Sequence, residues 1–192
     1  WLAWPDKKIE VILNPIEPLY GSIGAEEVLE RFNIEKGRYF LALASLKPHK
    51  NLAMLFASYR KYHESMGHAA WPLVVSANTG REPGIVSIGN LDGPSAWALL
   101  HCAGALVSPS LYEGFGRPVV EAVVSGVPVI ASDIEPHREG LMGVAPQCII
   151  FLAPQDERAW AKAFARVQKG EVTRPLESDR SLISQRYQPV SV

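Results

Sequence analysis

Cysteine is scarce in this 192-residue chain, with two, Cys102 and Cys148. Two thiols are too few for a disulfide scaffold or a cysteine-rich metal centre. Both lie beside apolar residues, which predicts buried, inert thiols. No charge of one sign prevails, since 19 Lys and Arg stand against 20 Asp and Glu for a formal net charge of −1. That balance leaves no electrostatic footprint for nucleic acid, so no nucleic-acid partner is expected. No apolar run approaches the ~18 residues of a membrane span, and no basic–apolar–small leader opens the chain. The five histidines, His49, His63, His68, His101 and His137, show no metal-ligand spacing such as His-x3-His, so no metal is expected. Asp133-Ile134-Glu135 follows a strand pattern and reads as ordinary turn chemistry rather than as an acidic metal pair.

Apolar residues, by contrast, make up 47% of the chain, enough to bury a core and to exclude wholesale disorder. The length suits one domain. A reduced, cytoplasmic globular domain is expected. The chain opens on Trp1 rather than Met, as expected of a cloned piece, a proteolytic fragment or the downstream part of a longer protein.

Hydrophobic periodicity alternates between two kinds of element. Ile9–Leu13, Tyr39–Ala44, Pro72–Ser76, Ile85–Ile88, Ala105–Val107, Val127–Ala131 and Ile149–Leu152 read as short strands. Between them, Glu26–Phe32, Leu52–Glu64, Ser95–Leu100, Pro118–Ser125 and Gln155–Lys169 read as helices, Ser95 capping the third. Tyr20–Gly24 reads as a loop. Trp97, Trp160 and Phe164 are expected in the core. Continuous apolar strands alternating with helices predict an α/β fold, a Rossmann-like doubly wound parallel sheet. In such sheets ligands lie beyond the carboxyl ends of the strands. The segment after Gly170 is polar, weakly patterned and expected to be loose.

The segment Ser108 to Glu121 carries the most chemistry. A strand runs into the turn Glu113-Gly114-Phe115-Gly116-Arg117 and then into a helix with Pro118 in its first turn and Gly126 at its end. Free N–H groups of Gly116 and Arg117 are thereby aimed at the space above the sheet, where oriented donors and the helix dipole bind phosphate. Gly114 and Gly116 allow backbone to approach a ligand where a Cβ would intrude. Glu113 and Glu121 flank the turn, and carboxylates there accept hydrogen bonds from vicinal sugar hydroxyls. Phosphate donors between two hydroxyl acceptors describe a nucleotide-sugar site. Val119 stands where a dinucleotide-binding fingerprint needs its third glycine, which argues against a nicotinamide cofactor. Lys50 lies on a loop after a strand, the other place where such sheets carry function.

The run Glu113 to Glu121 resembles the Glu-x7-Glu motif of retaining GT-B glycosyltransferases of family 4, in particular bacterial polysaccharide mannosyltransferases. The resemblance spans Ile9 to Val167. Val11–Ile16 is similar to the strand and turn that enter the C-terminal domain of these enzymes. Ala44-Ser45-Leu46-Lys47-Pro48-His49-Lys50-Asn51 resembles the family's Gly-Arg/Thr-Leu-x-Pro-x-Lys-Asn loop. Pro128–Ser132 with His137-Arg138-Glu139 resembles the segment after the motif helix.

The resemblance implies the C-terminal half of a GT-B enzyme: residues 1–170 the donor-binding domain, 171–192 a crossover tail, and the N-terminal acceptor domain outside this chain. It implies that Glu113 and Lys50 are catalytic, Glu113 on hydroxyls of the donor sugar and Lys50 offsetting the leaving group's charge. Glu121 would hold the ribose diol. Phe115, Gly116 and Arg117 would give backbone donors to the diphosphate, and Gly89-Asn90-Leu91 would border the base. Ser45 stands where many members carry a second cationic phosphate ligand, and His49 or Lys47 are the candidates to replace it. The implied reaction needs no cofactor or essential metal beyond its substrate, a nucleotide sugar, GDP-mannose favoured over a UDP-sugar. The implied acceptor is a glycan or lipid-linked glycan, met through the missing domain. This polypeptide alone is expected to bind nucleotide weakly and to transfer sugar poorly. Peripheral attachment of the full-length protein to the inner face of a membrane stays open. Two rival expectations are a nucleotide-sugar epimerase of the same architecture and a silent nucleotide-sugar-binding scaffold subunit.

Overall fold

A computed structural model describes residues 13–16 and 25–188. Six parallel strands, β1 (Phe40–Ala42), β2 (Leu73–Val75), β3 (Ile85–Ser87), β4 (Ala105–Ser108), β5 (Val129–Ser132) and β6 (Ile149–Leu152), form one sheet in the order β3-β2-β1-β4-β5-β6. The chain winds outward from β1 to β3, returns to the middle, and winds outward again from β4 to β6. The reversal falls between β1 and β4, where Phe40 pairs with Ala105 and Leu41 with Leu106. At such a switch point the two neighbouring loops leave in opposite directions and open a crevice over the strand ends.

Seven helices among the described residues cover both faces: α1 (Ala25–Arg31), α2 (Leu52–Met66), α3 (Gly93–Cys102), α4 (Arg117–Val124), α5 (Glu135–Gly140), α6 (Glu157–Gln168) and α7 (Glu177–Arg186). Successive strand residues point to opposite faces, and β1 divides accordingly. Phe40 packs with Leu55, Tyr59, Trp160 and Phe164 beneath α2 and α6, while Leu41 packs with Leu99, Val120 and Ile183 beneath α3, α4 and α7. Burial on both faces is why the strands read as unbroken apolar runs. Trp97, Trp160 and Phe164 lie in the core, and Cys102 and Cys148 are buried free thiols. No described helix is long and apolar enough to cross a membrane.

The doubly wound parallel sheet expected from the sequence is present, with local differences. Asp92, not Ser95, caps α3, its Oδ1 accepting from the Ser95 N–H at 2.8 Å. The fifth strand starts at Val129 because Pro128 has no N–H for the ladder; its carbonyl still accepts from Leu106 N at 2.9 Å. Asp133 and Ile134 are the short non-helical link read as a turn after that strand, helix α5 begins at Glu135, and Asp133 is ion-paired with Arg138. The strand expected at Ile9–Leu13 and the loop at Tyr20–Gly24 lie outside the described residues, Leu13 excepted. Leu13–Ile16 has no regular structure, and Ile16 N donates to Tyr187 O at 2.8 Å.

The segment after Gly170, expected to be loose, contains α7 packed on α4. Charged hydrogen bonds dock it more than an apolar stripe does. Arg180 Nε donates to Val124 O at 3.0 Å, and Arg174 Nε to Gly126 O at 3.0 Å, meeting carbonyls that the end of α4 leaves free. Buried Asp179 accepts from Leu176 N and Ala145 N, both at 2.9 Å. Asp179→Ala strands two donors, so a urea titration should show stability falling by about 2 kcal/mol.

Candidate active site

The loop after β1 and the loop after β4 meet over the switch point. The first contains a 3-10 turn, Pro48–Lys50, and ends at Asn51 in the left-handed region, φ 54°. Asparagine tolerates that conformation better than most side chains. The Asn51 amide then latches the loop in place, Nδ2 donating to Pro109 O at 3.1 Å and to Pro154 O at 2.8 Å. Leu111 N donates to His49 O at 2.8 Å and stitches the two loops together.

The latch brings Lys50 against Glu113, 63 residues away in sequence, with Nζ 2.6 Å from Oε1. Ser110 Oγ donates to the same oxygen at 2.6 Å. Both bonds fall on Oε1, so Oε2 keeps its lone pairs among the described residues. Burial pushes the Glu113 carboxyl up. The hydrogen bonds from Lys50 and Ser110, with the charge of Lys50, outweigh it and hold Glu113 below the usual carboxylate value.

Helix α4 starts beside this pair. Gly116 caps it at φ 80°, Pro118 sits in its first turn, and Gly126 at φ 69° follows its end. At the start of α4 Pro118 has no N–H and Val119 N donates to Gly116 O at 3.1 Å, so the N–H groups of Gly116 and Arg117 are the ones left at the mouth of the crevice, an arrangement suited to an anion. Glu121 lies one turn in, buried, and Arg117 Nε donates to its Oε1 at 2.6 Å. Burial pushes Glu121 above the usual carboxylate value, and the bond and charge of Arg117 offset only part of that.

Two open clefts adjoin the pair. One, of about 470 Å³, is lined by Lys50, Glu113, Phe115, Gly116 and Arg117, with Asn14 and Pro15 opposite. The other, of about 370 Å³, is lined by Ser45, Lys50, Ser76, Asn90 and Leu91. Lys50 borders both. Most of the sequence-derived residues thus converge on one place; Gly114, Glu121, Gly89, Lys47 and His49 line neither cleft. A Cβ built on Gly114 meets no atom within 4 Å, so the protein itself does not require glycine there. Among the described residues no group of three or more His, Cys, Asp or Glu could hold a metal ion.

Sequence reasoning missed Ser110, Asn51's latch and His137. Ser110 had one local signal, its place three residues before Glu113 in the loop that leads to α4. His137 had none. Its ring is fully buried, with Nδ1 2.9 Å from Ser132 O and Nε2 3.4 Å from Ser108 Oγ.

This arrangement defines a class: a Rossmann-like α/β domain whose ligand crevice sits at the β1–β4 switch point. The family described as Glycosyl transferases group 1 matches residues 37–169. The O-antigen chain mannosyltransferase RfbU of Salmonella typhimurium is 28% identical over 176 residues, covering 85% of this chain and 47% of that protein. The O-antigen chain mannosyltransferase B of Escherichia coli is 29% identical over 121 residues, covering 56% of this chain and 32% of that protein. The chain therefore spans about half the length of the first relative and about a third of the second. Among solved structures, a glycosyltransferase from Rickettsia africae superposes with a TM-score of 0.74 at 16% identity, covering 96% of this chain and 54% of that one. The pneumococcal O-GlcNAc transferase GtfA, in complex with UDP and GlcNAc, gives a TM-score of 0.62 at 16% identity, covering 81% of this chain and 34% of that one. The chain belongs to the glycosyl transferases group 1 family, and its fold is the Rossmann-like fold of GT-B glycosyltransferases.

Proposed function

We propose that this chain is the donor-binding domain of a retaining hexosyltransferase that takes mannose from GDP-mannose and delivers it to a glycan or lipid-linked acceptor. The observation that carries the reading is the Lys50–Glu113 pair, part-buried at the switch point between two clefts and beside the start of α4. Support for mannose comes from the relatives, two of which are named as O-antigen chain mannosyltransferases. The acceptor follows the same relatives, as a glycan chain of the O-antigen kind.

In this reading the base and ribose occupy the cleft bordered by Ser45, Asn90 and Leu91. Glu121 takes the ribose diol, releasing Arg117. The diphosphate lies on the N–H groups at the start of α4, and Glu113 Oε2 accepts from a hydroxyl of the sugar. As the bond from the sugar's anomeric carbon to the phosphate oxygen breaks, its electron pair stays on the diphosphate. Lys50 and the α4 donors stabilise that charge. The acceptor oxygen attacks from the face the diphosphate leaves, and its proton passes to the departing phosphate oxygen.

Calorimetric titration of the chain with GDP, UDP and ADP tests this. Binding of GDP in preference to the others is expected, and Glu121→Gln should weaken it about tenfold or more through the lost charge-assisted bonds. Preference for UDP would overturn GDP-mannose as donor, and binding of none would overturn the donor site. Acid should weaken binding as well, and the sign follows from the two carboxylates. Glu121 is held above the usual value and Glu113 below it, so falling pH protonates Glu121 while Glu113 is still ionised. The acid limb should therefore shift to lower pH in Glu121→Gln.

A further inference from the structure

We propose that His137 is a positioning residue for the diphosphate-binding turn: its ring, anchored between the ends of β4 and β5, sets the height of Gly116 and so the aim of the α4 N–H groups. The inference rests on the donor-site reading above. His137 lies on α5, outside the Glu113–Glu121 segment, and is 0% exposed. Ser132 O can only accept, so the nitrogen 2.9 Å from it, Nδ1, carries the proton. Nε2 is then the acceptor of the neutral ring, and the Ser108 hydroxyl 3.4 Å away donates to it. Burial disfavours the imidazolium, and the two charged groups that face the ring, Glu113 and Lys50, are of opposite sign. One tautomer in one orientation is the result.

Ser108 ends β4 and Ser132 ends β5, two strands paired with each other, so both anchors sit at the ends of adjacent ladder-bonded strands. The Cδ2–Nε2 edge of the ring, across from Nδ1, meets the turn. A Cβ built on Gly116 would lie 2.7 Å from His137 Cδ2 and 3.2 Å from Nε2, which leaves no gap between ring and backbone. Gly116 is the residue that caps α4. Any tilt or loss of the ring is therefore passed directly to the donors that face the ligand. A histidine that merely filled this space would affect every ligand of the domain alike. A histidine that positions the turn would affect only ligands carrying a diphosphate.

That difference is the test. The affinity of the intact chain is measured for whichever of GDP, UDP or ADP binds it and for the corresponding nucleoside, with melting curves alongside. His137→Phe keeps a ring but removes both anchors. His137→Asn keeps a donor for Ser132 O but falls short of Gly116, so it carries the test if the first variant does not fold. Each should lower diphosphate affinity about tenfold and leave nucleoside affinity within about twofold, because misplaced donors cost only the group they face. An equal loss for both probes, or no loss, overturns the positioning role while leaving the donor site standing. Absence of diphosphate binding by the unaltered chain removes the donor site and this role together.

Discussion

Replacing Lys50 with alanine is expected to lower the turnover of the proposed transferase about 10²–10³-fold, the loss seen when one preorganised donor to a developing negative charge is removed. The geometry explains why the effect should fall on kcat. Lys50 is held by a loop latched at Asn51 and by a 2.6 Å bond to Glu113, so its charge needs no reorganisation as the diphosphate departs. Ground-state nucleotide binding retains the α4 N–H groups and Glu121, and should fall far less. Steady-state kinetics at saturating donor make the measurement, and a kcat within about threefold of the unaltered enzyme would remove Lys50 from the mechanism. The same substitution reduces a pH effect on stability. With Lys50 present, Glu113 titrates below its unfolded value, so the pair's stabilisation is present above that unfolded value and is lost as pH falls through the folded one. Without Lys50 that stabilisation shrinks, because the Ser110 hydrogen bond is left to oppose burial.

Gly116→Ala should abolish measurable diphosphate binding and lower stability by about 2 kcal/mol or more. A left-handed backbone costs a non-glycine residue about 1–2 kcal/mol. The new methyl would also sit 2.7 Å from the ring of a fully buried histidine, which cannot swing aside without breaking its bonds to Ser132 and Ser108. Gly114→Ala is the internal control for stability, because no atom lies within 4 Å of its added Cβ and its φ is not positive. Melting temperatures and nucleotide titrations of the two variants should therefore diverge. Equal melting temperatures would show that the turn relaxes around a side chain at Gly116, and would weaken the case that His137 supports it.

The sequence reveals the sheet because each strand is short, apolar and buried on both faces, which leaves a signal within the strand itself. It reveals Lys50, Glu113, Gly116 and Arg117 as candidates because loops after strands and glycines before helices are local patterns. It does not reveal that Lys50 and Glu113 touch, since that contact depends on β1 and β4 being neighbours. The same applies to His137, whose partners are the ends of two strands and a turn, none of them near it in sequence except Ser132. Helix α7 escapes for another reason. Its attachment runs through Arg174, Arg180 and Asp179 to backbone groups, and hydrogen bonds to backbone leave no hydrophobic period to read. Glu121 was legible as a carboxylate near the turn but not as one covered by Arg117, because a salt bridge across one turn of helix leaves the residue pattern unchanged.

The strand order has a consequence for folding. Lys50 belongs to the half of the sheet that runs from β1 to β3, and Glu113 to the half that runs from β4 to β6; the two halves join along β1 and β4. Neither half alone possesses the pair, so the proposed donor would find its site only after a junction of high sequence separation has closed. Such junctions are slow to form, because loop entropy is lost before their contacts are gained. A ligand bridging them acts as a staple across the seam, adding about 2.7 kcal/mol at a hundredfold excess over its dissociation constant. That stabilisation opposes separation of the two halves rather than fraying at the edges of the sheet.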